Sequence, residues 1–295
     1  MPSAESAPQE PVPVQLMLVA DENLGKLNIR PSLSAYLAEI IHWRHFVVAD
    51  ARSRAFKGNQ EMFLGNLWLV LTPLLQSATY GLVFGLLLRT SRGIDNFVGY
   101  LVIGVIFFGF VSRGINAGSG LIQSSRSMIR SFTFPRATLV FGVLLRQFLD
   151  NLVPAMVAIA VALVFQWGEQ ISWSIAIVPL LYVLLHVFSC GLALVFARLT
   201  AFIPDLRSLM NFGTRVLFYV SGVFFSIERF ATEPILQYVM TMNPIYQFLE
   251  AIREAVLYGS FPEASSFVSL VLWSVGSFCL GLLFFWQSEA RYVRV

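Results

Sequence analysis

Six apolar stretches, each about as long as a bilayer's hydrocarbon core is thick, leave this chain little choice of fold. They run over about 65–88, 97–118, 138–165, 175–197, 209–226 and 267–286. A helix needs roughly 20 such residues to cross lipid, where its backbone polar groups find no water and have to be satisfied within the segment. Composition makes the same demand. Of 295 residues, 57% are hydrophobic and 13% charged, with a mean hydropathy of +0.71. A soluble domain averages roughly 45–50% apolar and about 25% charged. The 27 phenylalanines alone exceed what one water-soluble core of this size hides. A soluble enzyme or a nucleic-acid-binding domain is therefore excluded, and no nucleic acid is expected as a partner. The formal charge of +3 comes from arginines placed between apolar runs, as membrane topology requires. Cys190 and Cys279 both lie inside such runs and suggest neither a disulfide framework nor a thiolate metal site.

Residues 1–31 are rich in Pro, Ala, Glu and Gln and read as a flexible cytosolic tail; a charged start followed by an apolar secretory segment is missing. Residues 32–60 read as an amphipathic interfacial helix capped by Ser32 or Ser34. Leu37, Ile40, Ile41, Val47, Val48, Ala51 and Ala55 share one face, and Glu39, His42, Asp50 and Ser53 the other. Arg44 interrupts the apolar stripe, which suits a side chain whose stem lies along lipid while its head reaches water. His42 and His45 have no cysteine or carboxylate cluster beside them, so no metal is expected. The remaining residues, 61–295, form the six-span domain.

Arginines set the orientation. The segment 119–137 holds Arg126, Arg130 and Arg136 without an acid, and the C-terminus carries Arg291 and Arg294. Segment 166–174 holds Glu169 and no base, while 227–266 carries five acids against Arg229 and Arg253. Arg89 and Arg92 run against the rule, but the balance puts both termini in the cytosol. Within 227–266, Ile235–Met242 and Ile245–Tyr258 are too short to span; broken by Asn243-Pro244, a good helix start, they read as external re-entrant helices. The expected fold is an all-α integral membrane protein: an interface helix, six transmembrane helices, and short re-entrant helices before the last span.

The chemistry of an enzyme is missing. Lys26 and Lys57 lack the glycine spacing and following hydroxyl of a phosphate loop, and neither H-E-x-x-H nor G-x-S-x-G occurs. The chain is thus not expected to bind a cofactor or hydrolyse ATP. Ionisable residues inside the spans are the default functional candidates. Arg146 and Asp150 lie four apart, roughly 12 and 18 Å along a span starting at Thr138 at about 1.5 Å per residue. They suit mutual pairing or a substrate or proton site, and Arg215 in the fifth span is similarly ambiguous.

Three stretches in order resemble the permeases of type-2 ABC exporters of polysaccharide. They are Arg44 to Pro73, with Asp50, Arg52, Lys57, Leu64-Gly65 and Trp68; Ser127-Met128-Ile129-Arg130 with Phe134-Pro135-Arg136; and Met242-Asn243-Pro244 through Glu250, Arg253-Glu254 and Leu257-Tyr258-Gly259. The sequence departs from the family in Pro204-Asp205, in Ser221-Gly222-Val223-Phe224 and in lacking a lysine after the first loop's arginine. The resemblance implies a homodimer with two copies of a separate ABC ATPase, which binds ATP and Mg. The cargo implied is a polyprenyl-linked polysaccharide, and the arginine-over-lysine bias and acidic, proline-rich tail look like an actinobacterial cell-wall galactan exporter in the inner membrane. Exporters of a small drug or lipid, and a proton-coupled secondary carrier, are the rival readings.

On this resemblance 119–137 is the coupling loop to the ATPase, through Ser127, Met128, Arg130, Phe134, Pro135 and Arg136. Apolar residues in it, such as Met128 and Phe134, are ones a merely solvated loop would not need. On the resemblance the path is expected to run along the dimer seam, lined by spans one and five through Trp68, Phe84, Phe212 and Tyr219. Phe212, Tyr219 and Ser226 lie seven apart, near one helical face, and apolar rings hold sugar faces without locking one hydrogen-bond register. In a background lacking Cys190 and Cys279, Met128→Cys should label from the cytosol and Glu169→Cys from outside. Opposite labelling would overturn the orientation.

Overall fold

The computed structural model describes residues 31–57, 67–83, 94–166, 172–226 and 233–292. Among these residues the chain is helical, with turns and no strand. The helices, in order, are α1 (Leu33–His42), α2 (Arg44–Lys57), α3 (Trp68–Tyr80), α4 (Phe97–Gly118), α5 (Leu121–Ser124) and α6 (Arg126–Ser131). Then come α7 (Ala137–Val164), α8 (Val178–Phe202), α9 (Leu206–Val220), α10 (Pro234–Met242), α11 (Pro244–Val256) and α12 (Ala264–Trp286). Four stretches are helical, long and apolar enough to cross a membrane: Phe97–Gly118, Ala137–Val164, Trp173–Phe202 and Ala264–Trp286. The last-but-one includes a short 3-10 turn that leads into α8.

Helix α4 is the centre of the bundle. It touches α3, α7, α8, α9 and α11, and Tyr100, Ile103, Phe107 and Phe110 are buried along it. Its Asn96 caps the first turn, accepting from the Gly99 amide at 2.8 Å, and donates onward to the Ala162 carbonyl at the end of α7. Helices α7 and α12 instead leave apolar side chains on the surface, Val153, Met156, Leu272 and Leu280 among them. An apolar outer face is what a lipid solvent selects and water does not. Helix α12 lies directly against α8, where Gly191 meets Gly281. A Cβ on Gly281 would fall 2.3 Å from the Gly191 carbonyl oxygen, so only glycine permits this approach. Small residues at such a crossing let two backbones approach closely enough to pack in lipid.

Two of the six expected spans differ from this picture. The 65–88 stretch is described only over 67–83, as α3 and a short continuation. Over 209–226 the helix begins earlier, at Leu206, and ends at Val220, 15 residues or about 22 Å at 1.5 Å each. The chain then turns inward: Ser221, Gly222, Val223 and Phe224 are all buried. Gly222 makes the turn at φ +63°, and a Cβ there would sit 2.8 Å from the Tyr246 ring. Ser226 therefore leaves the helix and does not continue the face of Phe212 and Tyr219.

A buried arginine holds this turn. Arg253 on α11 has no exposed surface. Its Nη1 donates to the Gly222 carbonyl at 3.0 Å, its Nη2 to Tyr100 at 3.2 Å and Val223 at 3.3 Å, and its Nε to Tyr100 at 3.3 Å. The guanidinium lies 3.4 Å from the Tyr100 ring centroid, and Glu250 stands 3.8 Å away. The Tyr100 hydroxyl donates to the Gly222 and Phe225 carbonyls from the other side. One charge thus ties α4, α11 and the end of α9 together, satisfying carbonyls that a turn inside a bundle otherwise leaves bare.

The 32–60 segment is two helices rather than one, broken at Trp43. Ser32 accepts from the Ala35 amide as the expected cap. Tyr36, Val47 and Ala51 are buried and α2 packs against α7, while Leu37, Ile41 and Val48 remain exposed. The apolar stripe is therefore shared between the protein and the surface.

Candidate transport groove

A cavity of about 670 Å³ opens between α3, α4 and α9. Its walls are aromatic: Trp68 and Tyr80 from α3, Phe108 from α4, and Phe218 and Tyr219 from α9. The rings support one another. Phe218 meets Phe108 at 5.0 Å and Phe224 at 4.9 Å between centroids, Tyr80 meets Phe224 at 5.0 Å, and Tyr219 meets Phe224 at 5.8 Å. Phe224 belongs to the turn that Arg253 holds, so the latch also positions the aromatic wall. Thr72, Gln76, Ser112, Arg113, Thr214 and Arg215 add polar groups. A concave surface that is mostly apolar with a few convergent polar groups is the usual form of a binding site.

Among the residues expected to line a path, the structure brings together Trp68 and Tyr219, with Arg215 beside them. Phe212 is 63% exposed and lies off the groove, and Phe84 falls outside the described residues. Arg146 and Asp150 pair with each other at 3.3 Å on α7. Sequence reasoning passed over Arg113, although an arginine inside the 97–118 stretch carried the same signal as Arg146. Its partners, Asn151 and His186, had no signal of their own before the fold placed them together. Nη2 of Arg113 donates to Asn151 Oδ1 at 2.7 Å, and Asn151 Nδ2 is 3.0 Å from His186 Nε2.

The 119–137 segment forms α5, α6 and a turn into α7. Most of its apolar residues pack inward, while Phe132 is exposed. Ile129, Phe134 and Pro135 are buried in the chain's own core with Tyr36, Ile122 and Phe285, and Met128 packs against that cluster. Ser127, Arg130 and Phe132 are among its exposed positions, with Ser124, Arg126, Ser131 and Thr133. Arg136 is bound into a junction: its backbone N–H donates to Glu289 Oε1 at 2.8 Å and its guanidinium to the same oxygen at 3.2 Å. The Tyr36 hydroxyl donates to Glu289 Oε2 at 2.8 Å and accepts from the Ala137 amide. One carboxylate thus joins α1, the start of α7 and the residues after α12.

Burial pushes the Glu289 carboxyl above its usual range, with the Arg136 N–H and the Tyr36 hydroxyl pulling the other way. Burial, then the Glu289 charge, raises the Tyr36 hydroxyl.

A family model described as "ABC-2 type transporter" matches residues 53–257, a span that contains the groove, the 119–137 segment and the Arg253 latch. The chain belongs to the ABC-2 type transporter family. Together with its four long apolar helices, this makes it a membrane protein. Similar proteins include an "O-antigen export system permease protein RfbA" of Myxococcus xanthus, 20% identical over 80% of this chain and 90% of its own length. A protein of the same name from Klebsiella pneumoniae is 24% identical over 67% of this chain and 74% of its own. The "Polysialic acid transport protein KpsM" of Escherichia coli is 24% identical over 77% and 86%.

The junction generates a test. Removing the carboxyl with Glu289→Ala leaves the Tyr36 hydroxyl and the Arg136 N–H without their acceptor, at a cost of about 1–3 kcal/mol. Glu289→Gln keeps an acceptor and should cost less. Because folding raises the Glu289 pKa, the native junction holds its proton more tightly than the unfolded chain. The contribution is fully present below the ordinary glutamate range near 4.5 and falls as pH rises through the raised native value. Proteolytic cleavage within residues 31–57 should therefore be no faster at pH 5 than at pH 8, and faster at both in Glu289→Ala. Faster cleavage on acidification would contradict the account.

Proposed function

We propose that this chain is the permease of an ATP-driven exporter that moves a lipid-linked polysaccharide from the cytosol across the cytoplasmic membrane. The groove carries the reading. Its walls offer aromatic rings that meet edge-on or tilted, with scattered hydroxyls and the Gln76 amide, a surface that holds sugar rings weakly and repeatedly rather than in one register. Family membership and the names of the similar export permeases support it. The working unit is a homodimer with two copies of a separate ABC ATPase, which supplies ATP and Mg; this chain binds neither and is not an enzyme. Both termini lie in the cytosol, six helices span, with the partly described α3 stretch and the 15-residue α9 with the turn after it as two of them, and α10 and α11 are re-entrant on the external side.

Coupling falls to the exposed part of 119–137, chiefly Ser127 and Arg130. Arg136 is a poor probe of it, because reversing its charge also breaks the Glu289 junction. Cell-wall galactan is the favoured cargo, on the bias of 18 arginines to 2 lysines and the composition of the tail. Depletion of the chain should cause lipid-linked polymer to accumulate inside the cell and surface polymer to fall, and a wild-type copy should restore both. Unchanged surface polymer with new sensitivity to a small drug or a changed lipid composition would instead favour an exporter of drugs or lipids.

A further inference from the structure

Arg113 and Arg215 both line the groove, and no carboxylate accompanies them among its described lining residues. An arginine in a low-dielectric wall is expensive unless something compensates its charge, so its surroundings decide its role. Arg113 sits five residues before the end of α4, roughly 7–8 Å at about 1.5 Å per residue. On the proposed topology this is near the cytosolic mouth.

Neutral groups hold Arg113. The Tyr182 carbonyl can only accept, so His186 donates to it through Nδ1 at 2.8 Å, which leaves Nε2 as an acceptor. That acceptor turns the Asn151 amide so its NH2 faces His186 at 3.0 Å and its oxygen faces Arg113 at 2.7 Å. The chain of bonds fixes the guanidinium without cancelling its charge. The Phe110 ring stands 5.3 Å from it. Its Nε is buried without a hydrogen-bond partner among the described residues. Asp150 is hydrogen-bonded to Arg146 instead and reaches Arg113 only through space.

A cation on the groove wall, propped by neutral donors and acceptors that leave its charge in place, suits an anion that arrives from outside the chain. We propose that Arg113 and Arg215 form an oxyanion subsite in the groove, which takes a phosphoryl or carboxylate group borne by the cargo. Asn151 and His186 are positioning residues for Arg113. The proposal rests on the groove being the transport path and adds the charge of what passes. A phosphoryl group is expected where the glycan joins its lipid, and a carboxylate where the glycan itself is acidic.

The test uses the full chain in nanodiscs and measures binding of geranyl diphosphate, geraniol and trigalacturonate by equilibrium dialysis. At least one anion should bind more tightly than geraniol: geranyl diphosphate assigns the subsite to the lipid linkage, and trigalacturonate to acidic sugars. Arg113→Gln and Arg215→Gln should each weaken the bound anion about tenfold, the scale of one charge-assisted hydrogen bond. Arg291→Gln, an exposed arginine after α12 and outside the groove, should leave it unchanged. Asn151→Asp places a carboxylate against Arg113 and gives up the amide donor to His186, so it should lower thermal stability. In the folded protein it should also erase the preference for anion over alcohol, an effect a merely structural asparagine would not show. Should Arg113→Gln fail to fold, the exposed Arg215→Gln still decides. Equal binding of anions and geraniol, or anion binding indifferent to both arginines, overturns the subsite. If polymer still accumulates on depletion, only the subsite falls; if anions bind at the arginines but no polymer accumulates, the cargo class falls instead.

Discussion

The buried guanidinium of Arg253 is the interaction on which the rest of this architecture depends. Inside an apolar bundle a turn is costly, because its carbonyls lose the helical partners that satisfied them. Arg253 donates to two such carbonyls, Gly222 and Val223, reaches the Tyr100 carbonyl on α4 as well, and lies over the Tyr100 ring. The turn after α9 can therefore lie inside the protein. That placement brings Phe224 against Phe218, Tyr219 and Tyr80, and so gives the groove its aromatic wall. Glycine at position 222 is the other half of the device, since a side chain there would strike Tyr246.

The same economy appears at the opposite end of the bundle. Glu289 accepts hydrogen bonds from Tyr36 and Arg136, so α1, the start of α7 and the residues after α12 are tied together. The segment just before it, α5 and α6, is anchored by Ile129 and Phe134 while Arg130 stays exposed. The junction and the latch are thus two places where one buried polar side chain ties several elements together.

Much of this was legible in the sequence, for a physical reason. Long apolar runs with charged ends specify helices in lipid; the 267–286 stretch carries that signal without interruption, and 97–118 carries it around Arg113. The 209–226 stretch misleads because hydropathy registers no turn. Ser221 to Phe224 are apolar enough to look like a span, and only the pairing with Arg253, 31 residues from Gly222 in sequence, explains their bend. The apolar residues of 119–137 were visible, but their burial against Tyr36 and Phe285 depends on segments far away in the chain. Arg113 stood in plain view inside an apolar run. Its meaning came from Asn151 and His186, which no local pattern links to it.

The central claim is that polymer passes along the groove between α3, α4 and α9. Photo-cross-linking from Tyr219→p-benzoylphenylalanine in exporting cells tests it most directly. Tyr219 is exposed on the groove wall, so its substitution leaves the packed core intact. The account predicts an adduct that carries polysaccharide, forms during active export and disappears when the ATPase is inactivated. Adducts to membrane lipid alone, unchanged by the state of the ATPase, would contradict it.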